Sequence, residues 1–179
     1  MRAFTIGHST HPLDTFAALL AEHGVERVAD VRQTPRSGRH PHFNLEPLAE
    51  ELSRRGVDYR HLPALGGRRR ARPDSPNGGW EHPAFRGYAD YALTAEFAAG
   101  LAELGVLAEE RPTAVMCAEA LWWRCHRRLI ADRLTALGWS VCHIEPDGGL
   151  AEHELPAFAI VTAGGAVTYP PPQGPLPGL

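Results

Sequence analysis

The chain contains no lysine. All eighteen of its Lys/Arg positions are arginine. This excludes Schiff-base catalysis, a lysine-anchored pyridoxal cofactor and the lysine of a Walker-type phosphate loop, so cationic work falls to arginine and to ten histidines. Cysteine is scarce: three in 179 residues, too few and too odd in number for a secreted disulfide scaffold, which makes free thiols in a reducing compartment the expectation. Long apolar runs are absent. None approaches the roughly 20 residues of a membrane span, and MRAFTIGHST reaches His8 before an apolar stretch of signal-peptide length develops. A cytoplasmic protein with no membrane partner is expected. A basic excess is missing too: net charge −3 and pI near 6.4 make no whole-chain case for nucleic acid or an acidic membrane. Hydrophobic residues at 44% and charged ones at 22% exclude a disordered chain.

What is present is an alternation of short strand-like runs and amphipathic helices. Ala3–Ile6 reads as a first strand ending at Gly7-His8-Ser9-Thr10. Pro12 suits a first helical turn, Leu13, Phe16, Ala17 and Leu20 recur at helical spacing, and Gly24 stands where a helix C-terminal glycine belongs. Val25–Val31 is a second strand. Asn44 is placed to cap a helix through Arg55, and Val57–Leu62 is a third strand. Residues 63–83, rich in glycine, proline and arginine, read as loop with almost nothing to bury. Helices are predicted at 84–93 and 94–109, and a fourth strand at Thr113–Met116 runs into Cys117. A helix from about Cys125 to Gly138 and a fifth strand at Trp139–Ile144 follow. The pattern predicts a single α/β domain over residues 1–150, with a mainly parallel central sheet of about five strands and helices on both faces. Residues 151–179 form a C-terminal extension. Ala159–Thr162 and Ala166–Tyr169 around Gly164-Gly165 read as a hairpin, and PPPQGPLPGL as a stiff arm offering a route to an oligomer.

Ligands of open α/β sheets sit at the carboxyl ends of the strands. Those ends deliver His8 and Ser9, Asp30 and Arg32, His61 with Leu65-Gly66-Gly67, Cys117 and Glu119, and His143. One shared pocket is expected. The densest segment runs from Cys117 to Arg128. Cys125 falls at a helix start, where free N–H groups and the dipole stabilise a thiolate, while Cys117 ends a buried strand near Glu119. Cys142, inside a strand, reads as a small core residue. Seven residues separate Cys117 from Cys125, unlike the close spacing of zinc cysteines, and no metal or cofactor is expected; a reversible disulfide between the two stays open. Asp30 and Arg32 point to one face of a strand. They are either an ion pair ordering a loop or an anion-binding pair in which Asp30 orients the guanidinium. The Arg68–Arg72 run is either a solvated loop or a phosphate-contacting edge with Trp80 as stacking platform.

Thr5-Ile-Gly-His-Ser9, Asp30-Val-Arg32 with Pro35, Leu65-Gly-Gly67 and above all Cys117-x-Glu119 followed by Cys125-His-Arg127 resemble the family of domain of unknown function 488, which includes the YeaO-like proteins. The resemblance runs from about Thr5 to Ile144, and the cysteine segment is its most specific part. It implies a compact α/β domain in which both cysteines matter, and it supplies no reaction. Leu-Trp-Trp-Arg between the cysteines departs from the more polar stretch of relatives, so Arg124 is not counted as a family residue.

Together these residues predict a small enzyme of thiol or acid–base type acting on an anionic substrate, a nucleotide or nucleic-acid fragment. Cys117 or Cys125 is the nucleophile, with Glu119 and His126 for proton transfer. Arg32 and Arg127 clamp the anion, Asp30 orients Arg32, and His8 and Ser9 line the opposite wall. Phosphatase or sulfurtransferase chemistry suits a thiolate beside a helix N-terminus. The six residues between Cys117 and Arg124, two of them tryptophan, do not fit the glycine-rich phosphatase loop. The rival readings are a non-enzymatic nucleotide or nucleic-acid binding module and a thiol redox sensor built on Cys117 and Cys125.

Overall fold

Thr113-Ala-Val-Met-Cys117 is buried at every position, as a strand covered on both faces must be. In the computed structural model, which describes residues 1–172, it is β4 of a six-stranded sheet. The others are β1 (Arg2–Gly7), β2 (Arg27–Asp30), β3 (Asp58–His61), β5 (Ser140–Ile144) and β6 (Leu150–Glu152), in the order β3-β2-β4-β1-β5-β6. The first five are parallel; β6 runs antiparallel to β5.

Successive side chains of a strand leave on opposite faces, which splits the core in two. Ala114 and Met116 join Phe4, Ile6 and Val28 under α1 (Leu13–Glu22) and α2 (Leu45–Arg54), which contribute Phe16, Leu20, Leu48 and Leu52. Val115 and Cys117 face the other way. They pack with residues of α3 (Pro83–Tyr91), α4 (Ala95–Glu110) and α5 (Arg127–Ala136), among them Tyr88, Phe97, Leu104, Leu129 and Ile130. The chain leaving β1 therefore enters a helix on one face, and the chain leaving neighbouring β4 enters a helix on the other. That divergence opens a crevice at the ends of β1 and β4, the place where open α/β sheets take their ligands.

Three local expectations are corrected. Asn44 precedes α2 without capping it; its Oδ1 accepts from Ser37 N at 2.6 Å instead, tying down the loop after β2. The 63–83 segment is anchored rather than merely solvated. Asp90, 4% exposed, accepts from Arg72 N, Ser75 Oγ and Asn77 Nδ2, and Tyr88 and Tyr91 hydroxyls donate to Leu65 O and Ala64 O. The extension also adds an unforeseen strand, β6, before a hairpin of β7 (Ile160–Val161) and β8 (Val167–Thr168) that turns through Gly164 and Gly165. Val167 and Tyr169 enter the core beside α5. Of the proline-rich arm expected at 170–179, residues 173–179 lie outside the described residues.

Candidate active site

Gly7 ends β1 beside Cys117 at the end of β4. The two loops then cross, His8 N and Ser9 N donating to Cys117 O and Ala118 O at 2.9 and 3.0 Å. A Cβ on residue 7 would lie 1.9 Å from Glu119 O and 2.6 Å from Arg127 Nη1, so the crossing demands glycine. A 3-10 turn, Trp122–Arg124, brings the chain back to place Cys125 just ahead of α5.

There the two sulfurs stand 2.7 Å apart, both buried. Arg127 lies against them, 1% exposed. Its Nη1 donates to Cys117 Sγ at 3.0 Å and Glu119 O at 2.8 Å, and its Nη2 to Ala120 O at 2.7 Å. Burial pushes the Cys117 thiol up, but the hydrogen bond from Cys125 and the Arg127 charge outweigh it and leave the thiol below its ordinary value. Cys125 moves well above, by burial and by its charged neighbour. Of the two, Cys117 therefore gives up its proton first and Cys125 keeps its own. The helix head, expected to favour Cys125, offers it only the Arg127 N–H at 3.5 Å. A whole guanidinium charge at closer range wins over the partial charge of a helix end.

The neighbouring histidines are neutral. His126 donates from Nε2 to Val31 O at 3.2 Å, which leaves Nδ1 as acceptor toward Cys125 Sγ at 3.5 Å; burial depresses it to about 4. A side chain at Gly67 would come within 2.9 Å of that Nδ1. His8 donates from Nδ1 to Ser9 O at 2.9 Å and accepts from Arg32 Nη1 at 3.2 Å, and burial followed by the Arg32 charge lowers it to about 4. Arg32 is locked in place by buried Asp30, whose Oδ1 accepts from Nε at 2.9 Å and Oδ2 from Nη2 at 2.5 Å, while Tyr59 OH donates to Oδ2 at 2.6 Å.

These groups open on a cleft of about 930 Å³. Arg32, Arg36, Arg39 and Arg68 line it, against one carboxylate, Glu119. Arg36, Arg39 and Arg68 are exposed and have no ion-pair partner among the described residues. Ser9 (φ 47°) and Arg68 (φ 62°), the only non-glycine residues with left-handed backbone among the described residues, both line it; such strain collects at ligand sites. A second hollow of about 640 Å³ adjoins, sharing Arg68, Glu119, Ala120, Cys125 and His126 with the first.

Of the residues expected at the site, Cys117, Glu119, Cys125, His126, His8, Ser9 and Arg32 line the cleft. Asp30 and Arg127 lie beneath it, both buried, so the Arg127 guanidinium is spent on Cys117 and two carbonyls. His143 points elsewhere, accepting from Thr5 Oγ1 at 2.7 Å and donating to His153 at 2.9 Å. Trp80 is no stacking platform: it is 9% exposed, packed against Phe85 and Tyr169 and covered by Arg128. Arg36, Arg39 and His40 are additions. Their signal was available, because Arg-Ser-Gly-Arg-His at 36–40 follows the end of β2.

A model of the family described as domain of unknown function DUF488 matches residues 12–134. The chain belongs to the DUF488 family. The matched span takes in both cysteines, Asp30, Arg32 and Arg127, while β1 with His8 and Ser9, and everything from β5 onward, lie outside it. No curated protein and no solved structure matches the chain. No single helix among the described residues of this DUF488 protein is long and apolar enough to cross a membrane.

Proposed function

We propose that this DUF488 protein is a cytoplasmic thiol enzyme acting on an anionic substrate of nucleotide or nucleic-acid type. The observation that carries the reading is the Cys117 sulfur, held by the Arg127 guanidinium at 3.0 Å on the floor of a cleft with four arginines and one carboxylate. The substrate's negative charge meets Arg32, Arg36, Arg39 and Arg68, which stay charged at any working pH. Cys117 Sγ attacks the electrophilic centre so presented, and the bond to the leaving group breaks. Glu119 at the mouth gives a proton to the leaving group and takes one from the water that then releases the bound group from Cys117 Sγ, while His126 Nδ1 accepts the hydrogen bond of the protonated Cys125 thiol.

The test is alkylation of the intact protein by iodoacetamide between pH 5 and 10, with labelled sites read by mass spectrometry. Cys117 is expected to react first, with a midpoint below the ordinary value of about 8.5. A midpoint at or above that value overturns the reading. So does equal labelling of core Cys142, or a Cys117 that labels only after unfolding.

The 2.7 Å separation of the sulfurs favours a second reading, a redox sensor in which the two thiols close to a disulfide. Both sulfurs are oxidised, and their two electrons and two protons reduce one molecule of hydrogen peroxide to water. Mild peroxide treatment should then remove two hydrogens from the Cys117–Cys125 peptide pair. Two unmodified thiols would count against a sensor.

A further inference from the structure

The second hollow differs in kind from the arginine-lined cleft. Phe85 and Tyr88 of α3, with Trp123 of the 3-10 turn, wall it beside Leu121, and His82 and Arg124 edge it. Trp123 is 42% exposed, a large aromatic surface left uncovered next to a cationic site. It is held in position rather than loose. Its ring meets Trp122 edge-on at 5.5 Å, and Trp122 in turn lies flat on buried His143, 4.0 Å away at 6°. Phe85 is backed by Trp80 at 5.1 Å, and Tyr88 packs on His126 at 5.0 Å. The two hollows meet at His126 and Cys125, which line both.

A flexible apolar tail needs no preset aromatic faces. Rigid rings with a polar edge suit a planar, hydrogen-bonding group, for which stacking supplies affinity without sequence-specific contacts. A ligand that fills both hollows carries negative charge at one end and a flat ring at the other, joined by a polar link. We propose that the cleft binds one mononucleotide unit across both hollows, its phosphate on Arg32, Arg36 and Arg39 and its base against Trp123 and Phe85. This rests on the anionic-substrate reading above and narrows it. The base must be free to stack on Trp123, so a free nucleotide or an unpaired strand end is bound and a paired duplex base is not.

Isothermal titration of the full chain with the four common 5′-mononucleotides, ribose 5-phosphate and inorganic phosphate separates the possibilities. At least one mononucleotide should bind roughly fivefold or more tighter than ribose 5-phosphate, the gain expected from one stacked base. Trp123→Ala, a change at a half-exposed ring, should erase that gain and leave ribose 5-phosphate affinity unchanged. Arg36→Ala/Arg39→Ala should weaken both ligands together. Equal binding of mononucleotides and ribose 5-phosphate, or a Trp123→Ala protein that keeps the gain, overturns the proposal while the anionic-substrate reading stands. Binding by none of the phosphates overturns both.

Discussion

Arg127 is enclosed on every side. Its Nη atoms reach one sulfur and two carbonyls, and its Nε has no partner. No carboxylate pairs with it among the described residues, and a buried cation without a counter-charge is costly. An ionised Cys117 would supply that charge, so that the arginine favours the thiolate and the thiolate the buried arginine. Replacing Arg127 with Met should move the Cys117 alkylation midpoint above about 8.5. It should also cost about 2–5 kcal/mol in denaturant unfolding, because the buried sulfur and two part-buried carbonyls lose their donor. Arg127→Lys keeps a charge but not the fork, and should fall between. A folded Arg127→Met protein with an unmoved midpoint would sink the ion-pair account. At this scale the sequence was partly legible. Cys117, His8 and Arg32 could be placed because strand ends converge. The role of Arg127 could not, since it depends on how the 118–126 loop folds back across β1.

At the scale of elements, that crossing is where the site is most vulnerable. Gly7→Ala puts a methyl group into Glu119 O, and the loop must move or the strand must shift. The expected cost is about 1–3 kcal/mol, accompanied by slower Cys117 alkylation at fixed pH; wild-type stability and labelling would refute the close approach. The strands and helices themselves followed from periodicity, and glycine marked the ends of α1, α2 and α5 (Gly24, Gly56 and Gly138) with positive φ. The three-residue β6 carries no periodic signal, and the anchoring of 63–83 depends on Asp90 in α3, beyond the end of the loop itself. The extension is tied down by a fully directed chain. Tyr169 OH and His153 Nε2 donate to Asp132, His143 Nε2 donates to His153 Nδ1, and Thr5 Oγ1 donates to His143 Nδ1. His153→Ala leaves a buried N–H and a buried carboxylate oxygen unpaired, for about 2–5 kcal/mol, whereas Tyr169→Phe removes one donor and should cost about 1–3 kcal/mol. Equal losses in thermal denaturation would argue against a chain centred on His153. Because Trp122 stacks on His143, the His153 variant should also shift tryptophan fluorescence.

For the whole molecule, a lysine-free composition fixes which groups respond to pH. Eighteen arginines hold their charge throughout the working range, which leaves histidine and cysteine to set the curve. His8 and His126 are lowered to about 4 and His143 to about 3, each chiefly by burial. Unfolded histidines take up a proton below about 6.5. Between that value and about 4 the unfolded chain therefore binds more protons than the folded one, and stability falls as pH falls. For buried His8 and His143 the loss at pH 5 is about 2 kcal/mol each. Cys117, lowered, adds stability above the ordinary thiol value that fades as pH drops through its folded one. Cys125, raised, works the other way and takes stability away as pH rises past about 8.5. Calorimetry from pH 4.5 to 9.5 should show a plateau near pH 7 to 8, a steep decline toward pH 5 and a shallower one above about 8.5. The acid limb is the decisive one. Arginine–carboxylate pairs hold until the carboxylates protonate near pH 4, so a decline beginning only there, with stability flat from pH 7 to 5, would mean that these histidines are already charged in the folded protein. His8 would then not accept from Arg32, His126 would not face Cys125 with a free Nδ1, and the proton arrangement on which the Cys117 thiolate depends would have to be redrawn.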